Sequence, residues 1–323
     1  MVFPYHLPGV HSRCFYRSFS QSSSLLELSS FSRRLFKLPT PPPPASVNHN
    51  DLQSFLSYAE KTGLPSDSTT YVGTHYEYMV LWRLRRLALN LYRVGGRDDA
   101  GIDLVGTWHL PRRENALRVV VQCKALKTKL GPNLVRELEG AYRYSPVGWR
   151  TTDKLGILVS PREATKGVRN TISRSSYPLF WITMEQDGVI RQALWNERAE
   201  AFGLGGLGTE TRYEGNSGSP AKQEIVLTWE DDELHDMDQI EEELARQEAE
   251  WLARWGCENQ TEAKKFEVLE MLETSVPDLA RPGRIEGVDN SAFGAGKEEL
   301  LAQLKEKSSR FVQARTAPLS KQE

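Results

Sequence analysis

Residues 98–126 read DDAGIDLVGTWHLPRRENALRVVVQCKAL, two apolar runs around a charged turn. GIDLVGTWHL and LRVVVQCK are rich in Val, Ile, Leu and Trp, and the PRREN between them has turn composition, which predicts a β-hairpin. A turn centred on Arg113 and Glu114 pairs residues whose numbers sum to about 227 and sets Asp103 opposite Lys124. Side chains alternate along a strand, so Val119, Val121 and Cys123 point one way while Val120, Gln122 and Lys124 point the other, beside Asp103. A carboxylate, an amide and an amine are thereby expected at one end of one face. Two readings stay open: an exposed cross-strand ion pair worth roughly 0 to 1 kcal/mol, or a phosphodiester-cutting site. In the second, a carboxylate holds a hard cation, the cation activates water, and the lysine neutralises charge at the phosphate. Cys123 faces the other side of the strand and reads as core packing rather than as a nucleophile.

Upstream, the stretch THYEYMVLWRLRRLALNLY (74–92) places Glu77, Leu81, Leu84 and Ala88 on one helical stripe, with Arg83 and Arg86 facing outward. Glu77 opens that stripe. Thr74 and Glu77 also form T-x-x-E, so Glu77 reads equally as a capping-box residue or as an acid near a metal. Downstream, GPNLVRELEGAY predicts a helix opened by Pro132, KLGILVS a buried strand, REATKGVRNTISRS a polar helix and YPLFWITM a second buried strand. With LYRVGG as a short first strand, the order is one helix, three strands, helix, strand, helix, strand, an α/β domain ending near Glu200.

The chain has 323 residues, 39% hydrophobic and 26% charged, values ordinary for a globular protein. Its mean hydropathy of −0.50 implies that long segments stay outside any core. Cys14, Cys123 and Cys257 are far apart and make no CxxC pair, so neither a disulfide framework nor a zinc ribbon is indicated. Arg83, Arg85 and Arg86 break the best apolar run below the roughly 18 residues a membrane span needs, and no span is expected.

The net charge of −2 hides a segregation: residues 70–200 carry 21 Lys or Arg against 13 Asp or Glu, a balance of +8, and residues 201–323 carry 14 against 26, a balance of −12. A basic domain suits a polyanionic ligand. Residues 1–44 hold Arg13, Arg17, Arg33, Arg34 and Lys37, many serines and a single acid, Glu27, which is the composition of a mitochondrial transit peptide; PTPPPP then reads as a stiff spacer. The expected organisation is a disordered transit segment (1–44), a short helix and linker (45–70), the α/β domain (71–200), a Gly-rich linker (201–225) and an acidic helical and disordered tail (226–323). In the tail, Met237, Ile240, Leu244, Trp251 and Trp255 line one face of an acidic helix over 236–257, which would pack on the domain or recruit a partner protein. Gly203, Gly205 and Gly208 match G-x-G-x-x-G, but no apolar strand precedes them, so no dinucleotide site is expected.

Taken in order, YEYMVLWRLRRLALNLYRVGGRDDAGIDLVG, VVVQCKAL, LVRELEGAY and GILVSPREATKGV resemble the Mrr-like branch of the restriction-endonuclease (PD-(D/E)xK) fold. With the Arg- and Ser-rich start, the chain resembles the fungal mitochondrial family called required for respiratory growth protein 7. The resemblance covers about residues 71–195. It implies a restriction-endonuclease-like core, a mixed central sheet flanked by helices, and a Mg²⁺-dependent endonuclease or a non-cutting nucleic-acid-binding descendant, with DNA the expected partner. Carried over residue by residue, Asp103 matches the metal-binding aspartate, Lys124 the catalytic lysine, Gln122 the position two before it and Glu77 the helix acid, giving Asp103, Gln122 and Glu77 as the implied metal set. Asp99 and Gly101 match the approach turn. Gln122 departs from the wider pattern, which has a second carboxylate there; an amide oxygen is a hard ligand without charge, so cation affinity falls unless another acid restores it.

Overall fold

A computed structural model describes residues 28–95, 101–125, 128, 130–151, 153–214 and 222–282. After helices α1 (Ser30–Leu35) and α2 (Leu52–Thr62), the long helix α3 (Thr69–Arg85) leads into strands β1 (Leu89–Arg93), β2 (Leu104–Trp108) and β3 (Leu117–Cys123). Helix α4 (Asn133–Ala141), strand β4 (Leu155–Ser160), helix α5 (Lys166–Arg174), strand β5 (Leu179–Met184) and strand β6 (Ile190–Trp195) follow. The six strands form one sheet in sequential order. β3, β4 and β5 run parallel, and the flanking pairs are antiparallel. Parallel neighbours require crossovers, and α4 and α5 supply them.

The alternation in β3 separates two cores. Val119 and Val121 face α3, packing with Tyr76, Val80 and Leu84, while Val120 faces α4 and α5, packing with Leu134, Val135, Leu138 and Val168. The predicted order of helices and strands is therefore present, with β6 added at the sheet edge.

Four expectations are corrected. The β2–β3 register pairs Leu104 with Val121 and Trp108 with Leu117, numbers summing to 225, because the turn centres one residue earlier, where Arg112 takes a left-handed φ of 58°. Helix α3 starts at Thr69 with Ser68 as its N-cap, its hydroxyl accepting from the Tyr71 amide, so Thr74 and Glu77 lie inside the helix and form no capping box. It ends at Arg85 without a glycine or proline, turning at Ala88 (φ 63°) so that Leu87, Ala88 and Leu89 are all buried. Arg83 does not face outward: it is bonded to Glu224 at 2.7 Å.

The folded unit also continues past Glu200. A short helix α6 (Glu197–Ala199) precedes a second sheet of strands β7 (Leu207–Glu214), β8 (Lys222–Trp229) and β9 (Asp232–Glu233). Residues 207–214 and 222–225, expected within a Gly-rich linker, thus lie in strands. β7 and β8 pair over eight residues, and Leu207, Leu227 and Leu234 join the core on the α3 side. Helices α7 (Met237–Trp255), α8 (Glu262–Ser275) and α9 (Pro277–Ala280) complete the described chain.

The apolar face of α7 is occupied by the chain itself. Met237 is buried, Ile240 packs against the main core, and Trp251 and Trp255 pack with Leu269 and Leu272 of α8 and with Phe31 and Leu35 of α1. The segment 28–44, expected to be disordered, thus contributes a helix to this second core, since Phe31 and Leu35 fall on one face of α1. Residues 1–27 of the expected transit segment and 283–323 of the expected tail lie outside the described residues. No helix among the described residues is long and apolar enough to cross a membrane.

Candidate functional site

The C-terminal end of β3 is where buried strand meets polar side chains. Continuing the register sets Asp103 opposite Gln122 rather than Lys124. Asp103 is fixed by backbone on three sides. Its amide donates to the Val121 carbonyl at 3.0 Å and its carbonyl accepts from the Val94 and Gly95 amides at 2.8 Å. Its carboxylate Oδ2 accepts from the Cys123 amide at 2.6 Å, which anchors the acid at the strand end. Gly101 has φ +85°, and a Cβ there would stand 2.9 Å from Gln122 Nε2, so glycine is what lets this turn close over Gln122.

Gln122 is 1% exposed, and its Oε1 has no hydrogen-bond partner among the described residues. A buried amide oxygen without a partner costs free energy on the order of 1 to 3 kcal/mol. Lys124 continues the ladder to β4, its amide donating to the Val159 carbonyl at 2.9 Å and its carbonyl accepting from the Ser160 hydroxyl at 3.1 Å. Its ammonium pairs with Glu137 of α4, Nζ to Oε2 3.2 Å. The simple Asp103–Lys124 cross-strand pair is replaced by that arrangement.

Glu77 approaches from α3, the helix over the opposite face of the sheet. Its Oε2 takes a hydrogen bond from Arg93 Nε at 2.5 Å, and both side chains are largely buried. The Arg93 guanidinium also lies over the Tyr78 ring, 5.6 Å from its centroid. Burial pushes the Cys123 thiol well above its ordinary range; Asp103 and then Glu77 add to the rise, with Arg93 and Lys124 opposing it. Cys123 is a packing residue carrying its proton, and its surroundings show that four charged groups act on one strand end. Asp99 lies outside the described residues. No group of three His, Cys, Asp or Glu placed to hold a metal occurs among the described residues, so any cation here would rely on the Gln122 amide oxygen.

Arg93 and Glu137 were not singled out in the sequence. Arg93 carries no signal of its own. Glu137 has one, since it stands beside Leu138 at the edge of the apolar stripe of α4 and four residues after Asn133, whose Nδ2 approaches its Oε1 at 3.4 Å.

The family model described as required for respiratory growth protein 7 matches residues 68–116 and 109–213, the segments that build the sheet and this strand end. An uncharacterised mitochondrial protein of Schizosaccharomyces pombe is 37% identical over 164 residues, covering 49% of this chain and 63% of the relative. The chain thus spans just under two thirds of that relative's length. Required for respiratory growth protein 7, mitochondrial, of Saccharomyces cerevisiae is 27% identical over 171 residues, covering 40% of this chain and 71% of the relative. Its namesake in Vanderwaltozyma polyspora is 28% identical over 182 residues, covering 42% and 71%. No solved structure matches the chain. The relatives are named as mitochondrial proteins, in agreement with the location expected from the N-terminal composition. The domain that carries the site is thus similar to the required for respiratory growth protein 7 family.

Proposed function

We propose that this domain is a divalent-cation-dependent phosphodiesterase acting on mitochondrial nucleic acid, built on a restriction-endonuclease-like core and serving respiratory growth. The observation that carries the reading is the buried, unpartnered Gln122 Oε1 beside the backbone-anchored Asp103 carboxylate. Mg²⁺ takes hard oxygen donors and is usually held by one or two carboxylates with water and substrate phosphate completing the shell. Asp103 and Gln122 fit that demand, whereas Glu77, the third ligand that the resemblance implies, approaches from the other face of the sheet and is held by Arg93. The net positive charge of residues 70–200, with Arg136, Lys166, Arg169 and Arg174 exposed on α4 and α5, supports a polyanionic substrate.

When bound, Mg²⁺ supplies Lewis acidity at a phosphoryl oxygen and lowers the pKa of water. The chain's own part is positioning. Asp103, held by the Cys123 amide, presents its carboxylate without reorganisation, and Gln122 presents a neutral oxygen from a water-poor interior. Lys124, on the same strand face two residues on, donates to a phosphate oxygen and offsets the negative charge that develops there.

A second reading, a nucleic-acid-binding module that does not cut, is favoured by one observation: the Glu77–Arg93 and Lys124–Glu137 pairs engage two of the four expected site residues. The reading as an assembly factor that recruits a partner through α7 is disfavoured, because the apolar face of α7 is already covered. Incubating the purified full chain with DNA and with RNA in Mg²⁺, Mn²⁺ or EDTA separates the readings. Cation-dependent cleavage supports the first; binding without cleavage in any cation supports the second; neither binding nor cleavage overturns both.

A further inference from the structure

We infer that Glu137 supplies the second carboxylate of the cation site, replacing the acid that Gln122 lacks. The inference rests on the reading of Asp103 and Gln122 as cation ligands and adds a residue from a different element. Three observations carry it. Gln122 and Lys124 project on the sheet face that α4 covers, the face on which Val120 meets Leu134, Val135 and Leu138, whereas Glu77 belongs to the helix over the other face and is engaged by Arg93. Glu137 Oε2 stands 3.2 Å from Lys124 Nζ, and Lys124 lies two residues, about 6.6 Å, from Gln122 along the strand, so this carboxylate lies on the sheet face that Gln122 shares. The Gln122 Oε1 oxygen, 99% buried by residue and unpartnered among the described residues, is the independent sign that a ligand is missing on that face.

The geometry also explains why an amide is tolerated at position 122. Two carboxylates in the buried strand would repel each other and raise the cost of burial in the absence of a cation. Placing the second acid on α4, with a half-exposed side chain, leaves it solvated and paired with Lys124 until a cation arrives. Cation binding then exchanges the ammonium for the metal at Glu137 and frees Lys124 for the phosphate.

Mn²⁺ titration of the full chain, followed by calorimetry or by the Mn²⁺ resonance signal, tests this without reference to activity. Glu137→Gln is expected to weaken Mn²⁺ binding by about tenfold or more, with the thermal midpoint nearly unchanged, since an exposed pair contributes little. Gln122→Glu combined with Glu137→Gln is expected to restore affinity to within about threefold of the parent, because the carboxylate has been returned to the site from the strand. If Glu137→Gln binds Mn²⁺ like the parent while Asp103→Asn does not, the cation site stands and Glu137 is only the ion partner of Lys124, which overturns this inference alone. Failure of the double variant to recover affinity also overturns it. A parent chain that binds no Mn²⁺ overturns both this inference and the catalytic reading beneath it.

Discussion

Phe31 packs against Trp251 with ring centroids 5.4 Å apart, so a helix near the start of the chain and the acidic helix α7 share one small core. The pairing is reinforced by Glu262, which accepts from the Ser30 hydroxyl at 2.6 Å and the Phe31 amide at 3.1 Å. Phe31→Ala is expected to destabilise this core by about 3 to 5 kcal/mol, the range for removing a buried ring. Amide hydrogen exchange should show α7 and α8 losing protection while β3 and β4 keep theirs; unchanged exchange in α8 would contradict the packing. The same contact sets where a truncation that tests import must stop, because α1 belongs to the folded chain. Deleting 2–27 removes Arg13 and Arg17, two of the five basic residues of the N-terminal segment, without touching α1, and it is expected to abolish delivery to mitochondria while leaving the fold intact.

Helix α7 is also tied to the main domain by charge. Arg85 on α3 bonds Asp238 at 2.8 Å and Glu241 at 2.9 and 3.1 Å, and Glu241 is 8% exposed. Arg85→Met strands a buried carboxylate and is expected to cost about 3 kcal/mol in urea unfolding. Arg85→Met with Glu241→Leu removes both charges and is expected to recover most of that loss. Equal losses in the single and double variants would show that the pair is not what holds α7.

Much of this architecture was legible because strand alternation is a strong signal. Val119, Val120 and Val121 read as a two-sided strand, GPNLVRELEGAY as a helix and REATKGVRNTISRS as a polar helix. What was not legible had weak local cues. The end of α3 carries no breaker, because burial of Leu87 through Leu89 and not glycine chemistry turns the chain. β7 and β8 contain TETRYE and KQEIVL, whose charges resemble a linker, yet backbone pairing and one apolar flank suffice to make a hairpin. The candidate site was legible in kind but not in partnership. Asp103, Gln122 and Lys124 came together at one strand end, whereas the two-residue register change followed from Arg112, and the choices of Arg93 for Glu77 and Glu137 for Lys124 depend on helix placement that one sequence does not encode locally.

His109 gives a pH dependence that can be isolated. It follows β2, its Nε2 lies 3.1 Å from Thr107 Oγ1, and burial pushes its pKa down from 6.5 to about 4. The folded chain therefore holds this imidazole neutral while the unfolded chain protonates it below pH 6.5. Stability contributed by the neutral form is present above pH 6.5 and is lost as the pH falls toward 4, by about 3 kcal/mol in total. His109→Gln removes the titration, so the stability difference between variant and parent should change across that interval; a constant difference from pH 7 to 4 would contradict it.

The central claim is that Asp103, Gln122 and Lys124 form one cation-dependent cutting site, and single-turnover cleavage of labelled nucleic acid in Mg²⁺ by the parent, Asp103→Asn and Lys124→Ala tests it most directly. Both variants are expected to lose about two to four orders of magnitude in rate, as for removal of charge stabilisation in a water-poor site. Folding should be retained in each. Variants that cut at the parent's rate would contradict the account.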